Sequence, residues 1–539
     1  MSTSKHASVW PIVLLFILLP YFRHETRTGF ADDELATLHL TAAIVEQQSL
    51  RIGEQLKTRG ETAAKVSVEG EYYASVAPGL SFLSIPAYAA AKAAAWVFNY
   101  ELTVSGAVRW LRLVMVQLPT AIFALLFFGF MVRRGVHAHA ARVGVLLLAL
   151  MVPTLQAATT LNGAFVAALC VMTCFLLLGD ETDWPQQTSF VLAGLVLAFA
   201  IILCRQAVFA FPLIAIYGFG RARSPRWLLP FFALSFVGLV GIGVYNFFCF
   251  GGPFLVQGSF WGLAAPSLTR VWHFFAEADG LLQLAPVFVI AIVGFVFMLG
   301  RGDGGESAII AIASVLALVF TDAGNSGSFG ESAFAIALCV WPLARGIEAM
   351  GSVAGGAFVT GLLASWTLVI ATVVAITHVY LPAEFANPLR DLCSAMLQQG
   401  VFEDGIGHRL GLSGLMAVLP YLVTMFAVLC VVATGGAAPG ESGGFSHALA
   451  VMAFAGALFV WQLSWRPDPA ARERSIYTQE IVQRLEAGRE YPDAKITRHA
   501  LRAQEKEPGA NETEIAVGHA ATAAGDNPSA LDHYRRLRR

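Results

Sequence analysis

Charge is what this sequence has least of. Asp, Glu, Lys and Arg together make up 13% of the 539 residues, about half the share of a typical soluble domain. Hydrophobic residues make up 56%, and Phe alone occurs 39 times. A water-soluble core could not bury that much apolar surface, whereas lipid solvates it. The net charge is only -2, so no field of the whole molecule points to nucleic acid as a partner. Cysteine is sparse too: Cys170, Cys174, Cys204, Cys249, Cys339, Cys393 and Cys430 lie mostly in apolar runs and show no metal-ligand spacing. They read as small buried hydrophobes. No glycine-rich phosphate fingerprint follows a strand, so a nucleotide-binding fold is not expected. No small-residue cleavage site follows the first apolar run, 9–22, only RHETRTGF. That run is therefore an uncleaved first span rather than a signal peptide.

What is there in quantity is apolar sequence in helix-length stretches. After 9–22, spans are expected near 110–131, 141–156, 160–178, 189–204, 207–219, 227–249, 284–300, 307–320, 331–344, 354–380, 411–434 and 446–463. The fold class is an all-α polytopic membrane protein with about 13 transmembrane helices. Some of these runs are short for a hydrocarbon core of about 30 Å, so tilted or broken helices are expected among them. The stretch 79–98 carries Pro86 and Lys92 and reads as an interfacial segment with Lys92 snorkelling. With the N-terminus inside, that choice puts Arg133, Arg134, Arg221, Arg223, Arg226, Arg301 and Arg345 on the cytoplasmic side, as the positive-inside rule asks. The loops 23–78, 250–283 and 381–410 then face out, and so does the C-terminal tail. The expected location is a bacterial inner membrane.

Two parts follow: a transmembrane domain over 1–463, whose first outer loop is 23–78, and a soluble tail over 464–539. The tail is polar, and its helical stretches resemble stacked hairpins of tetratricopeptide type, a module that commonly binds a protein partner. A partly disordered tail is the other reading.

Polar residues near a membrane need a reason to be there. Asp32, Asp33 and Glu34 stand in a row a few residues beyond the first span. One of them could cap a helix, or they could supply a general base or a metal-binding carboxylate at the membrane face. Tyr72 and Tyr73 close the same loop, where tyrosines also suit the headgroup level. Arg205 lies between two apolar runs, at the outer ends of two expected spans. It is either a lipid anchor or a fork that holds a lipid phosphate. His273, in an aromatic outer loop, is a further candidate. The glycine-rich stretch 322–331 joins two spans on the outside and could let backbone approach a ligand closely.

Taken together these motifs resemble bacterial membrane proteins of the glycosyltransferase C superfamily, near the protein O-mannosyltransferase and aminoarabinose-transferase group. The likeness runs over about 10–435. It rests on Asp33-Glu34, on Tyr72-Tyr73 through Ala77-Pro78-Gly79, on Arg205, on Tyr245-Asn246 through Gly251-Gly252-Pro253, and on Asn387-Pro388-Leu389 through Gly400. Gln206 and Ala77 replace prolines of the family pattern, and the loop 325–331 lacks its tryptophan and arginine. The resemblance implies a polyprenyl-phosphate sugar as donor and inverting transfer to an acceptor hydroxyl at the outer face. Arg205, with Tyr72, Tyr73, Asn246 and His273, would bind the donor, and Asp33 would act as base. Related enzymes sometimes use a divalent metal near the acidic site; no compact ligand set is visible, so the metal stays open. Two other classes compete: a transporter of lipid-linked sugar, for which internal repeats are lacking, and a catalytically silent relative acting in envelope assembly.

Overall fold

The computed structural model describes residues 31–464, except 61, 63, 180–183, 254, 257–258, 261–262, 264–265, 277–279, 321–332, 378–386, 400–401, 403–406, 408–409, 413 and 435–443. The first expected span and the whole tail lie outside the described residues.

The chain is overwhelmingly helical. It opens with α1 (Asp32–Gln47) and the short α2 (Gly53–Arg59), then a hairpin of β1 (Lys65–Val68) and β2 (Glu71–Ala74). The hairpin is antiparallel, with Val66 opposite Tyr73 and Ser67 opposite Tyr72. Next come α3 (Gly79–Val97) and the 30-residue α4 (Val104–Arg133). They are followed by α5 (Ala138–Leu150), α6 (Val152–Thr159), α7 (Gly163–Leu178), α8 (Gln186–Leu203), α9 (Ala210–Arg221) and α10 (Leu228–Phe250). Later helices include Phe288–Leu299, Gly304–Val319, Val340–Gly351, Gly356–Ile376, Leu419–Thr434 and Gly444–Ser464.

Among the described residues five helices are long and apolar enough to cross a membrane, or seven if each of two bent pairs forms one span; one such pair is α5 with α6, bent by 60°. Four shorter apolar helices of 10–17 residues accompany them among the described residues. α10 leaves Leu229, Phe236, Val240, Phe247 and Phe248 exposed, and Phe288–Leu299 does the same with Ile292, Val296 and Leu299. Stripes of that size are unusual on a soluble monomer and are the natural lipid-facing surface of a membrane protein. The helices associate through small residues, as expected where lipid removes the hydrophobic drive between them. A Cβ on Gly194 would lie 2.7 Å from the Phe231 carbonyl, and one on Gly238 2.6 Å from the Ala198 carbonyl, so α8 and α10 meet backbone to backbone.

Four of the seven arginines expected on one side, Arg134, Arg221, Arg301 and Arg345, meet in one ion network. Arg134 and Arg221 both reach Glu306, at 3.3 and 2.8 Å. Arg345 pairs with Asp303 at 2.7 Å and Glu348 at 2.9 Å, and Arg301 reaches Glu348 at 3.1 Å. Arg345 also donates to the Arg134 carbonyl at 2.8 Å. This network binds the ends of α4, α9, Phe288–Leu299, Gly304–Val319 and Val340–Gly351. Gln186, at the start of α8, donates to the Arg221 carbonyl at 2.9 Å. The other end of α8, an 18-residue helix, lies about 27 Å away. Arg205 stands there, at the opposite end of the bundle.

At that opposite end the first loop folds over the bundle around a core of its own. Ala36, Leu40, Ala43, Ile52, Leu56 and Ala74 pack there against Tyr245 and Cys249 of α10. α3 meets the length and hydropathy expected of a span, although the sequence reading placed it at the interface. Its polar side is occupied: Lys92 pairs with Glu46 at 2.9 Å, and Tyr88 donates to the same carboxylate at 2.8 Å. Arg59 joins them at 2.7 Å. Lys92 is thus held by α1 rather than left to snorkel. The seven cysteines form no disulfide; five are buried and Cys170 and Cys430 are half-buried.

Candidate functional site

The three acids behave differently, because successive residues of a helix point about 100° apart. The N-cap of α1 is Ala31, with no side-chain cap bond, and all three acids fall in the first turn. None is the cap that the simplest sequence reading allowed. They sit instead where the positive end of the helix dipole favours negative charge. Asp32 is accessible and accepts a hydrogen bond from the Thr62 hydroxyl at 3.0 Å. Glu34 is fully buried: Arg112 grips it through two nitrogens, each at 2.5 Å, and the Leu161 amide donates to it at 2.8 Å. Its charge is committed to a bidentate pair.

Asp33 differs from both. It is accessible, yet burial by the surrounding protein pushes its carboxyl above the usual range. The neighbouring Asp32 pushes the same way, and the Arg205 charge pulls it back. The structure therefore places Asp33 and Arg205, from distant parts of the chain, within electrostatic reach of each other.

Arg205 reaches this position through the way α8 ends. Cys204 is extended, and a 3-10 turn, Arg205–Phe209, leads into α9. Gln206 is buried in that turn and accepts from the Cys204 thiol at 2.9 Å. The Arg205 side chain is buried and donates to the Ser75 carbonyl at 2.5 Å. Ser75 can come so close because Gly79, four residues on, packs against the end of α8. A Cβ there would meet the Ile202 carbonyl oxygen at 2.6 Å and the Leu203 nitrogen at 2.7 Å. Only glycine allows that approach.

The aromatic candidates take separate roles. Tyr73 stands edge-on to Phe250, with ring centroids 6.4 Å apart. Tyr72 is exposed and lies under the Lys65 ammonium at 5.2 Å. Asn246 is buried and donates to the Pro253 carbonyl at 3.4 Å, across the turn after α10. His273 is on the helix Leu268–Ala276, but its side chain lies outside the described residues, as do 322–331 and Gly400. Asn387 accepts from the Arg390 amide at 3.1 Å in a local turn. Among the described residues no group of three or more His, Cys, Asp or Glu could hold a metal ion.

Three residues of the site escaped the sequence reading. Tyr245 donates to the Ala74 carbonyl at 3.3 Å and lies within reach of the Arg205 charge; it stood in the quoted Tyr-Asn pair, beside the residue chosen. Ser75 contributes only a backbone carbonyl, which no side-chain pattern reveals. Arg112 was visible as a lone charge inside an expected span, which is itself a signal. No protein-family model matches the chain and no curated protein matches it, so its own geometry is what bears on function.

Proposed function

We propose that this chain is a membrane glycosyltransferase of the glycosyltransferase C type, transferring a sugar from a polyprenyl-phosphate donor to an acceptor hydroxyl with inversion. The observation that carries this reading is the pairing of Asp33, a crowded but accessible carboxyl, with Arg205, a buried guanidinium at the end of a helix bundle. A base within electrostatic reach of a cation at the end of an apolar helix bundle fits a donor whose tail stays in the bilayer. Asp33 takes the proton of the acceptor hydroxyl, whose oxygen attacks C1 of the sugar. The bond from C1 to the phosphate oxygen breaks, and its electron pair leaves with the phosphate. Arg205 offsets the charge that grows there. A carboxyl with a raised pKa is the stronger base in its ionised form.

The membrane placement belongs to the same proposal. The arginine network is cytoplasmic by the positive-inside rule, which puts Asp33 and Arg205 outside. From Arg112, paired with Glu34, to Arg134 in the network, α4 rises about 33 Å, one membrane thickness. α3 begins against Leu203, and its middle carbonyl, Ala87, accepts from Trp110 at 2.8 Å. Both contacts lie at the outer end, so α3 rests on the outer face although it is apolar enough to span. The tail 464–539 is outside as well, available to a protein partner. The transporter reading has less support, because the ion network ties the inner ends of the helices together.

The test is donor binding measured beside sugar transfer. Asp33→Asn should keep lipid binding and lose about 100-fold or more in turnover, the usual scale of general-base catalysis. Arg205→Ala should weaken binding of the donor lipid and slow transfer too. Asp32→Asn should lose far less. Transfer by Asp33→Asn at the parent rate would overturn the base assignment. A parent that binds the lipid but transfers to no acceptor would establish a silent relative.

A further inference from the structure

We propose that Arg112, acting through Glu34, is a positioning residue that sets where Asp33 stands relative to Arg205; this rests on the reading of Asp33 and Arg205 above. One buried carboxylate joins three segments. Glu34 belongs to the first turn of α1, next to Asp33. Its two oxygens take the Arg112 fork, and one of them also takes the Leu161 amide. Leu161 is two residues before Gly163, whose Cβ position lies 2.6 Å from the Leu203 carbonyl. Leu203 in turn precedes Arg205 by two residues. The chain of contacts thus runs from the residue beside the base, through Glu34, to the segment that carries the clamp.

The sequence of α4 is shaped for this. A π turn, Leu113–Gln117, follows Arg112 directly. A π turn inserts a residue and rotates the side chains before it relative to those after it. Trp110, Leu118, Ile122 and Leu126 are exposed along α4, while Arg112 is buried. A buried pair gains little net stability over a well-packed apolar one, because two charges must be desolvated. Its value is geometric: a planar fork on a carboxylate fixes distance and orientation together. Both Glu34 oxygens are taken by the fold, so its part is to hold the first turn of α1. A hydrophobic residue at Arg112 could fill the volume but not dictate the orientation of that turn.

The experiment uses the full-length protein in nanodiscs and compares the parent with Glu34→Gln, Arg112→Lys and Arg112→Gln. Amide exchange is followed over the whole chain, and affinity for undecaprenyl phosphate is measured in parallel with sugar transfer. Arg112→Gln should raise exchange in the first turn of α1 by about 100-fold, the scale of losing one partner of a buried pair, and leave distant helices unchanged. Arg112→Lys keeps the charge but not the fork, and should give a smaller rise at the same amides. Glu34→Gln retains an acceptor for Leu161 and is the variant that keeps the test open if Arg112→Gln does not fold. Undecaprenyl phosphate affinity should stay within about threefold while turnover falls at least tenfold, because Arg205 is intact and Asp33 is displaced. Unchanged exchange at the first turn in both Glu34→Gln and Arg112→Gln would overturn the proposal. Exchange that rises everywhere would overturn it too, since the pair would then be a general stabiliser. If local exchange rises as expected but the parent neither binds the lipid nor transfers sugar, the transferase reading fails and the positioning of the turn stands.

Discussion

Replacing Glu306 by glutamine should be among the more costly polar changes this protein can suffer away from its candidate site. Glu306 is buried, and it receives Arg134 at 3.3 Å and Arg221 at 2.8 Å. Arg134 is itself buried, with 9% of its side chain exposed, whereas 29% of Arg221 is exposed. Removing one partner of a buried pair typically costs about 3–5 kcal/mol, because a charge is left without compensation in a low dielectric. Two features reduce that here. Glutamine keeps one acceptor oxygen, and Arg221 can turn toward water. Arg134 has another carboxylate nearby, Asp303, only at 3.8 Å. A loss of about 2–3 kcal/mol results. Arg301→Gln is the internal comparison. It removes a pair of similar length, 3.1 Å to Glu348, but 52% of the Arg301 side chain is exposed. Screening by water should hold its cost to about 0.5 kcal/mol or less. Thermal unfolding in nanodiscs reads both. The reasoning is refuted if Arg301→Gln lowers the melting temperature as much as Glu306→Gln, or if Glu306→Gln leaves it unmoved.

Two further expectations concern the outer end. Gly79→Ala should destabilise by about 1–3 kcal/mol, since the new methyl would overlap the backbone at Ile202 and Leu203 and must push the hairpin away; an unchanged melting temperature would show that the contact is looser than described. Glu46 is pushed up by burial but brought down to about 2 by Lys92, Tyr88 and Arg59. Its folded pKa is therefore below its unfolded value. The stability it contributes is present above the ordinary carboxylate range, near 4.5, and disappears as pH falls toward 2. Glu46→Gln should flatten the acid limb of a stability–pH curve between those limits, by about 1 kcal/mol after allowing for solvent screening; an acid limb identical to the parent's would contradict the assignment.

Membrane residence and helicity were legible in the composition, because they depend on totals: too little charge and too much apolar surface for water. The grouping of Arg134, Arg221, Arg301 and Arg345 was legible for a similar reason, since arginines avoid the hydrocarbon and collect at helix ends. The acids of the first turn and Arg205 stood out because charge near a membrane is conspicuous. What the chain order could not tell was which of three adjacent acids faces Arg205. That depends on the rotation of α1, and the rotation is set by Arg112 and the Leu161 amide, both far away in sequence. Nor could hydropathy alone show what α3 touches: its apolar content suits a span, while Glu46 and Trp110, from separate helices, bond to it. Local sequence determined how much apolar surface each segment carries. Tertiary contact decided which charges meet, because a pair such as Arg112 and Glu34 comes into being only when separate helices bring their partners within a few ångströms.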